Sequence, residues 1–90
     1  MELFWQEHRA GIRLMLLGDD GEQVEVGAIR KTPRGYDALA KTFGYDPGRA
    51  TKGIPTLEDA KAFVESFSPW DMFGASPDLP VEPQVRPADV

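Results

Sequence analysis

The feature that most constrains the fold of this 90-residue chain is an alternation of apolar and polar residues on both sides of a glycine-rich turn at residues 18–21. Before the turn, residues 12–17 place Ile12, Leu14 and Leu16 on one face. After it, Val24, Val26 and Ala28 alternate with Glu25, Gly27 and Ile29. A period of two is typical of a half-buried strand, and a Gly-Asp-Asp-Gly sequence suits a hairpin turn. The pattern therefore predicts two antiparallel strands.

Two further segments have extended character. Leu3 and Trp5 alternate with Glu2, Phe4 and Gln6, which predicts a short first strand. Residues 33–43 fit two structures. Thr32-Pro33 and Gly44 could delimit a helix. Alternatively, residues 32–35 form a turn into a strand with Tyr36, Ala38 and Ala40 on one face. The strand is favoured, because three strands and one helix close a small core better than two strands and two short helices.

A helix is predicted after residue 55. Thr56 can cap its first turn through its hydroxyl, and Glu58 and Asp59 place negative charge at the positive end of the helix dipole. The apolar stripe of this helix is Leu57, Ala60, Phe63, Val64 and Phe67. Ser68-Pro69 ends it, because the residue before a proline avoids the helical region. Residues 44–53, rich in glycine, are predicted to form a loop.

The predicted fold class is α+β: a small antiparallel meander of three to four strands with one C-terminal helix packed on one face. Residues 1–68 form this domain, and residues 69–90 form an extended tail, because five of the eight prolines fall there. The tail also carries Trp70, Met72 and Phe73. A purely solvated segment would not carry three large apolar groups so close together, so we expect them to be covered, either by the chain's own domain or by a neighbour. These three residues are the candidate contacts to a partner.

Residue composition excludes most common nucleophilic enzymes. The chain has no cysteine and a single histidine, His8. A Cys-His pair, a Ser-His-Asp triad and a thiolate zinc site therefore cannot form within one chain. Gly44 and Gly48 do not have the spacing of a phosphate-binding P-loop. We accordingly predict no catalytic residues, no metal ligands and no cofactor, and a protein that is not an enzyme.

Basic residues are concentrated in the middle of the chain. Residues 1–29, 30–52 and 53–90 carry formal charges of −4, +4 and −5, within a net charge of −5. Such a pattern is informative about partners. The candidate nucleic-acid contacts are Arg30, Lys31, Arg34, Arg49 and Lys52. The acidic net charge disfavours nucleic acid as the main partner.

Three motifs, Gly27-Ala28-Ile29, Gly35-Tyr36-Asp37-Ala38 and Gly53-Ile54-Pro55-Thr56-Leu57-Glu58-Asp59-Ala60-Lys61, together resemble small sheet-then-helix proteins of phages and prophages. The same order is similar to the AP2-like arm-binding domain of phage-type integrases. That resemblance covers roughly residues 12–67. It implies a three-stranded sheet backed by a helix, with the sheet entering the major groove of DNA.

The functional expectation is a non-enzymatic protein of a phage or mobile element that acts by protein–protein interaction. Its partner would be a host or viral protein, and one such role is inhibition of a host defence complex. The alternative is a small nucleic-acid-binding module that uses the basic segment 30–52. Because the chain has no basic leader and no long apolar run, we expect a cytoplasmic protein without membrane contact.

Overall fold

In the computed structural model, which describes residues 1–44 and 46–88, five antiparallel strands form a meander with neighbours in sequence order. The strands are β1 (Glu2–His8), β2 (Gly11–Leu17), β3 (Gln23–Thr32), β4 (Gly35–Ala40) and β5 (Ala50–Ile54). One helix, α1 (Leu57–Glu65), follows the sheet. The α+β class and the single C-terminal helix are confirmed, and the strand alternative for residues 33–43 is confirmed by β4.

The predicted strand number, three to four, is too low. The additional strand is β5, and its first four residues belong to segment 44–53, which was predicted to be a loop. Its pairing with β4 is short and irregular, with a register shift between Tyr36 and Ala38. At this shift Gly53 has a left-handed φ of 71°, and its N–H donates to Asp37 Oδ1 at 3.1 Å. A five-residue strand that contains a glycine in this conformation has little sequence signal of its own.

The hairpin of β2 and β3 is confirmed, but the alternation in β3 changes phase. The register passes from Leu14 opposite Gly27 to Met15 opposite Glu25, so Val26 is an extra residue in β3. Such a bulge moves all later side chains to the other face of the strand. Ile29 is therefore buried in the core, whereas Ala28, which the alternation places with Val26, lies on the opposite face.

Helix α1 begins as predicted. The Thr56 hydroxyl accepts a hydrogen bond from the Asp59 N–H at 3.1 Å. The helix ends at Glu65, before the expected Phe67, and Ser68 has a left-handed φ of 45° immediately before Pro69. No helix within the described residues has the length and apolar character that a membrane crossing requires.

The core lies between α1 and one face of the sheet, which we call the core face. Small residues allow the helix to approach closely: a Cβ added at Gly27 would lie 2.5 Å from Val64 Cγ1. The largest fully buried side chains include Trp5 and Leu14. The Trp5 indole N–H donates to Glu65 Oε2 at 3.0 Å, so a polar bond also ties β1 to the end of α1.

The C-terminal segment, residues 69–88, packs on its own domain. It begins with a 3-10 helix, Pro69–Phe73, and then runs along the outer edge of β1. The N–H of Glu82 donates to Leu3 O at 2.8 Å, the N–H of Arg86 to Trp5 O at 2.8 Å, and the N–H of Glu7 to Arg86 O at 2.9 Å. These bonds satisfy backbone groups that an edge strand otherwise exposes.

Arg86 holds this segment in place. Its guanidinium lies 3.8 Å from the centroid of the Phe4 ring and forms ion pairs with Glu82 and Glu2. Hydrogen bonds from Arg86 to Glu82 and then to Glu2 raise the pKa of Arg86 above its ordinary value. The side chain therefore stays charged throughout the pH range in which a protein folds.

Candidate functional site: the open face of the sheet

The side of the sheet opposite α1 is uncovered over strands β2 to β5, and we call this surface the open face. It forms a wide, shallow groove of about 790 Å³. The side chains that define it are Arg13, Glu25, Ala28, Arg30, Asp37, Leu39, Ala50 and Lys52. Concave surfaces with a mostly apolar floor and a few charged groups are the usual form of a binding site.

Strand alternation and the β3 bulge together create the floor of this groove. Leu39 faces away from α1 because Ala38 and Ala40 face the core, and its side chain is 49% exposed. Ala50 pairs with Leu39 in the register of β4 and β5. Ala28 pairs with Leu39 on the other side of β4, in the register of β3 and β4. Three neighbouring strands thus contribute one apolar residue each.

Three cations on the strands surround this floor, and Arg9, in the turn between β1 and β2, lines the same groove. Arg13 lies opposite Ala28 in the register of β2 and β3, Arg30 follows two positions along β3, and Lys52 comes from β5. Within residues 1–44 and 46–88, none of these three side chains forms an ion pair. Their charges are consequently available to a partner that presents carboxylates or phosphates.

Neighbouring polar groups fix the rim. Arg13 Nη2 donates to Gln6 Oε1 at 3.2 Å, and Gln6 is buried. Arg13 Nε is also buried, and it has no hydrogen-bond partner among the described residues. Asp37 accepts the Gly53 N–H, so part of its charge already serves to hold β5. The remaining acid of the open face is Glu25. The open face therefore carries charges of both signs, with more cations than anions.

The structure separates the five candidate nucleic-acid contacts of the basic segment 30–52. Arg30 and Lys52 lie on the open face. Arg34 is exposed in the two-residue turn between β3 and β4, close to the same end of the sheet. Lys31 pairs with Tyr36, which packs against the core, so Lys31 lies on the side that α1 covers.

Arg49 lies away from the other four. It is engaged within the chain, because its guanidinium lies 5.2 Å from the centroid of the Phe67 ring. It also donates to Lys41 O at 3.2 Å and forms an ion pair with Asp46 at 3.5 Å. The basic segment is therefore continuous in sequence but does not form one surface.

The three apolar residues of the tail have different environments. Trp70 is 3% exposed, belongs to the core, and donates its indole N–H to Ser76 O at 2.8 Å. Met72 is half-buried. Phe73 is half-buried as well, and its ring lies 5.2 Å from that of Phe43, whose side chain is 75% exposed. In the folded chain, the surface part of this group is thus Met72, Phe73 and Phe43.

Sequence reasoning missed Arg13, Leu39 and Ala50 as site residues. The signal for Arg13 was present, because the inward position of Ile12 and Leu14 places the residue between them on the opposite face. Leu39 could be found by the same argument from Ala38 and Ala40. Ala50 could not, because β5 was not predicted.

No group of three or more acidic or histidine side chains within residues 1–44 and 46–88 is placed to hold a metal ion. Comparison of the chain with protein-family models, with curated proteins and with solved structures finds no match.

Proposed function

We propose that this protein is a non-enzymatic interaction protein of the phage or mobile-element type, and that its open face binds a host or viral protein. The observation that carries the proposal is the contrast between an uncovered, apolar-floored groove and the rest of the sheet, which α1 and the C-terminal segment cover. Inhibition of a host defence complex belongs to this proposal, because a binder without reactive groups acts by covering a surface.

The composition of the open face supports a protein partner over a nucleic acid. Its floor is apolar, and its rim combines Arg13, Arg30 and Lys52 with Glu25 and Asp37. Protein interfaces combine an apolar centre with a rim of both charge signs. A surface for a phosphate backbone is more uniformly basic.

Site-specific cross-linking tests this proposal. Leu39 would be replaced by the photo-reactive amino acid p-benzoylphenylalanine, and irradiation in a host lysate should yield an adduct with one protein. The same replacement at Ala62, which is exposed on α1, is the control and should yield no such adduct. The adduct should also disappear in an Arg30→Glu variant. Adducts of equal yield at both positions, or none at Leu39, would refute the proposal.

The tail residues Trp70, Met72 and Phe73 have two different roles in this proposal. Trp70 stabilises the domain, and Met72 with Phe73 and Phe43 gives a second apolar contact near the end of the sheet. Phe43→Ala should weaken the capture of the cross-linked protein if this contact is used. Its thermal stability should remain close to wild type, since most of the Phe43 side chain is already in water.

A nucleic-acid-binding module is the second candidate, supported by the position of Arg30, Arg34 and Lys52 near one end of the sheet. It requires that the protein binds duplex DNA and that the logarithm of the binding constant falls with the logarithm of the salt concentration, with a slope of about −0.9 for each phosphate contacted. A mobility-shift titration in low salt would measure this. Arg30→Glu should abolish the shift and Lys61→Glu, on α1, should preserve it. An unshifted duplex with wild-type protein excludes this candidate.

A further inference from the structure

The dimensions of the open face restrict what can occupy it. Strands in a sheet lie about 4.8 Å apart, so β2 to β5 span about 14 Å between the outer two strands. An α-helix with side chains is about 10–12 Å wide. One helix therefore fills the groove across its width, whereas a single extended strand leaves most of the floor exposed.

Backbone hydrogen bonding favours a helix for a second reason. The strands under the groove already pair with each other, so their backbone groups are not available to a ligand lying across the face. A strand or loop placed on Ala28 and Leu39 would bury its own N–H and C=O groups against apolar side chains. A helix satisfies these groups internally and can lie on the floor without that cost.

The same sheet already binds a helix on its other face. There α1 packs over Gly27 and Ala40 and contributes Ala60 and Val64, so small side chains on both sides allow close contact. The open face has comparable small residues in Ala28 and Ala50. Its small side chains would thus allow a second helix to approach closely. Within the described residues, no segment of this chain covers this face.

Charge determines the character of that helix. Arg13, Arg30 and Lys52 lie on three different strands around the floor, and none is ion-paired within the described residues. We infer that the open face binds an acidic amphipathic α-helix of the partner protein, with a narrow stripe of Ala and Leu on the floor and Glu or Asp on both flanks. This inference rests on the proposed function and specifies the element that is recognised.

Solution NMR with a defined peptide tests the inference. The probe is a capped helical peptide with Leu and Ala at i, i+3, i+4 and i+7 spacing and Glu at the flanking positions. Titration into ¹⁵N-labelled full-length protein should shift the amides of Ala28, Leu39 and Ala50. A matched peptide with Lys in place of every Glu should leave them unchanged. Equal shifts with both peptides, or none with the Glu peptide at about 1 mM, would overturn the inference.

Paired charge variants sharpen this experiment. Arg30→Glu should weaken binding of the Glu peptide by at least about tenfold, because one attraction becomes a repulsion. Lys61→Glu makes the same change in net charge on α1 and should leave the affinity unchanged. Thermal melts should show that both variants are folded. Equal weakening by the two variants would contradict a localised site.

The outcomes for the helix and for the proposed function are separable. If the protein cross-linked at Leu39 contacts the open face through a strand or a loop, as peptide mapping of the adduct would reveal, the helix inference fails and the proposed function stands. If no protein is cross-linked at Leu39, the proposed function itself fails.

Discussion

Two adjoining halves of one side of the sheet differ sharply. Over β1 and the neighbouring Met15 of β2, large side chains are sealed: Phe4 and Met15 are buried, and Arg86 of the C-terminal segment lies over the Phe4 ring. Over β2 to β5, the side chains of Ala28 and Leu39 form an uncovered floor. The boundary is the hydrogen bond from Arg13 to the buried Gln6.

The difference teaches where the chain completes its own fold and where it does not. The half that carries large apolar groups is covered by Arg86, on the segment of the same chain that bonds to the edge of β1 through Glu82 and Arg86. The other half carries small apolar groups and charges, which can remain in water without loss of stability. Some residues of the sheet are thus buried by the chain itself, and others remain available to a partner.

The strongest test of this contrast is a pair of truncations on the same side of the sheet. Phe4→Ala removes a side chain that is 2% exposed, and it should lower the free energy of unfolding by about 3–5 kcal/mol. Leu39→Ala removes one that is half exposed and should cost less than about 1 kcal/mol. Urea denaturation would measure both. Similar losses would show that the open face is not open in solution.

A second pair of variants enlarges alanines on the two faces. Ala40 is fully buried beneath α1, so Ala40→Leu should overpack the core and cost about 1–3 kcal/mol. Ala28 lies on the open face, and Ala28→Leu should change stability by less than about 0.5 kcal/mol. The measurement is again the denaturation midpoint. A large loss for Ala28→Leu would indicate that another element covers Ala28.

The smallest expected effect is a change in hydrogen exchange, and it compares the same substitution at two arginines, Arg86 and Arg30. Arg86→Met removes the charge that joins Glu2 to Glu82, and it should increase hydrogen exchange at the Glu7 amide, which donates to the carbonyl of residue 86. Arg30→Met should leave that amide unchanged. High salt should reproduce part of the effect in wild type, since it screens exposed ion pairs. Equal exchange in the two variants would exclude a sealing role for Arg86.

Much of the fold was predictable because its signals are local. The turn at residues 18–21, the Thr56 cap and the alternation of Tyr36, Ala38 and Ala40 each depend on neighbouring residues. The bulge at Val26 was not predictable, because it is a property of the pairing of two strands. The same holds for β5, whose existence depends on β4 and on the contact between Asp37 and Gly53.

The candidate site was predictable only in part for the same reason. Arg30 and Lys52 were identified from charge, but charge alone could not separate them from Arg49, which the fold directs to Phe67 and Asp46. Trp70 was identified as a residue that needs cover. Which surface covers it depends on contacts between distant parts of the chain.

The contact between Arg86 and Glu2 joins residues that are 84 positions apart, and this has a consequence for biosynthesis. Synthesis proceeds at about 5–20 residues per second, so β1 leaves the ribosome several seconds before its cover. During that interval the nascent hairpins can pair, but the outer edge of β1 at Leu3 and Trp5 is exposed to solvent or to a chaperone. Slow codons late in the message would lengthen this vulnerable period and increase misassembly.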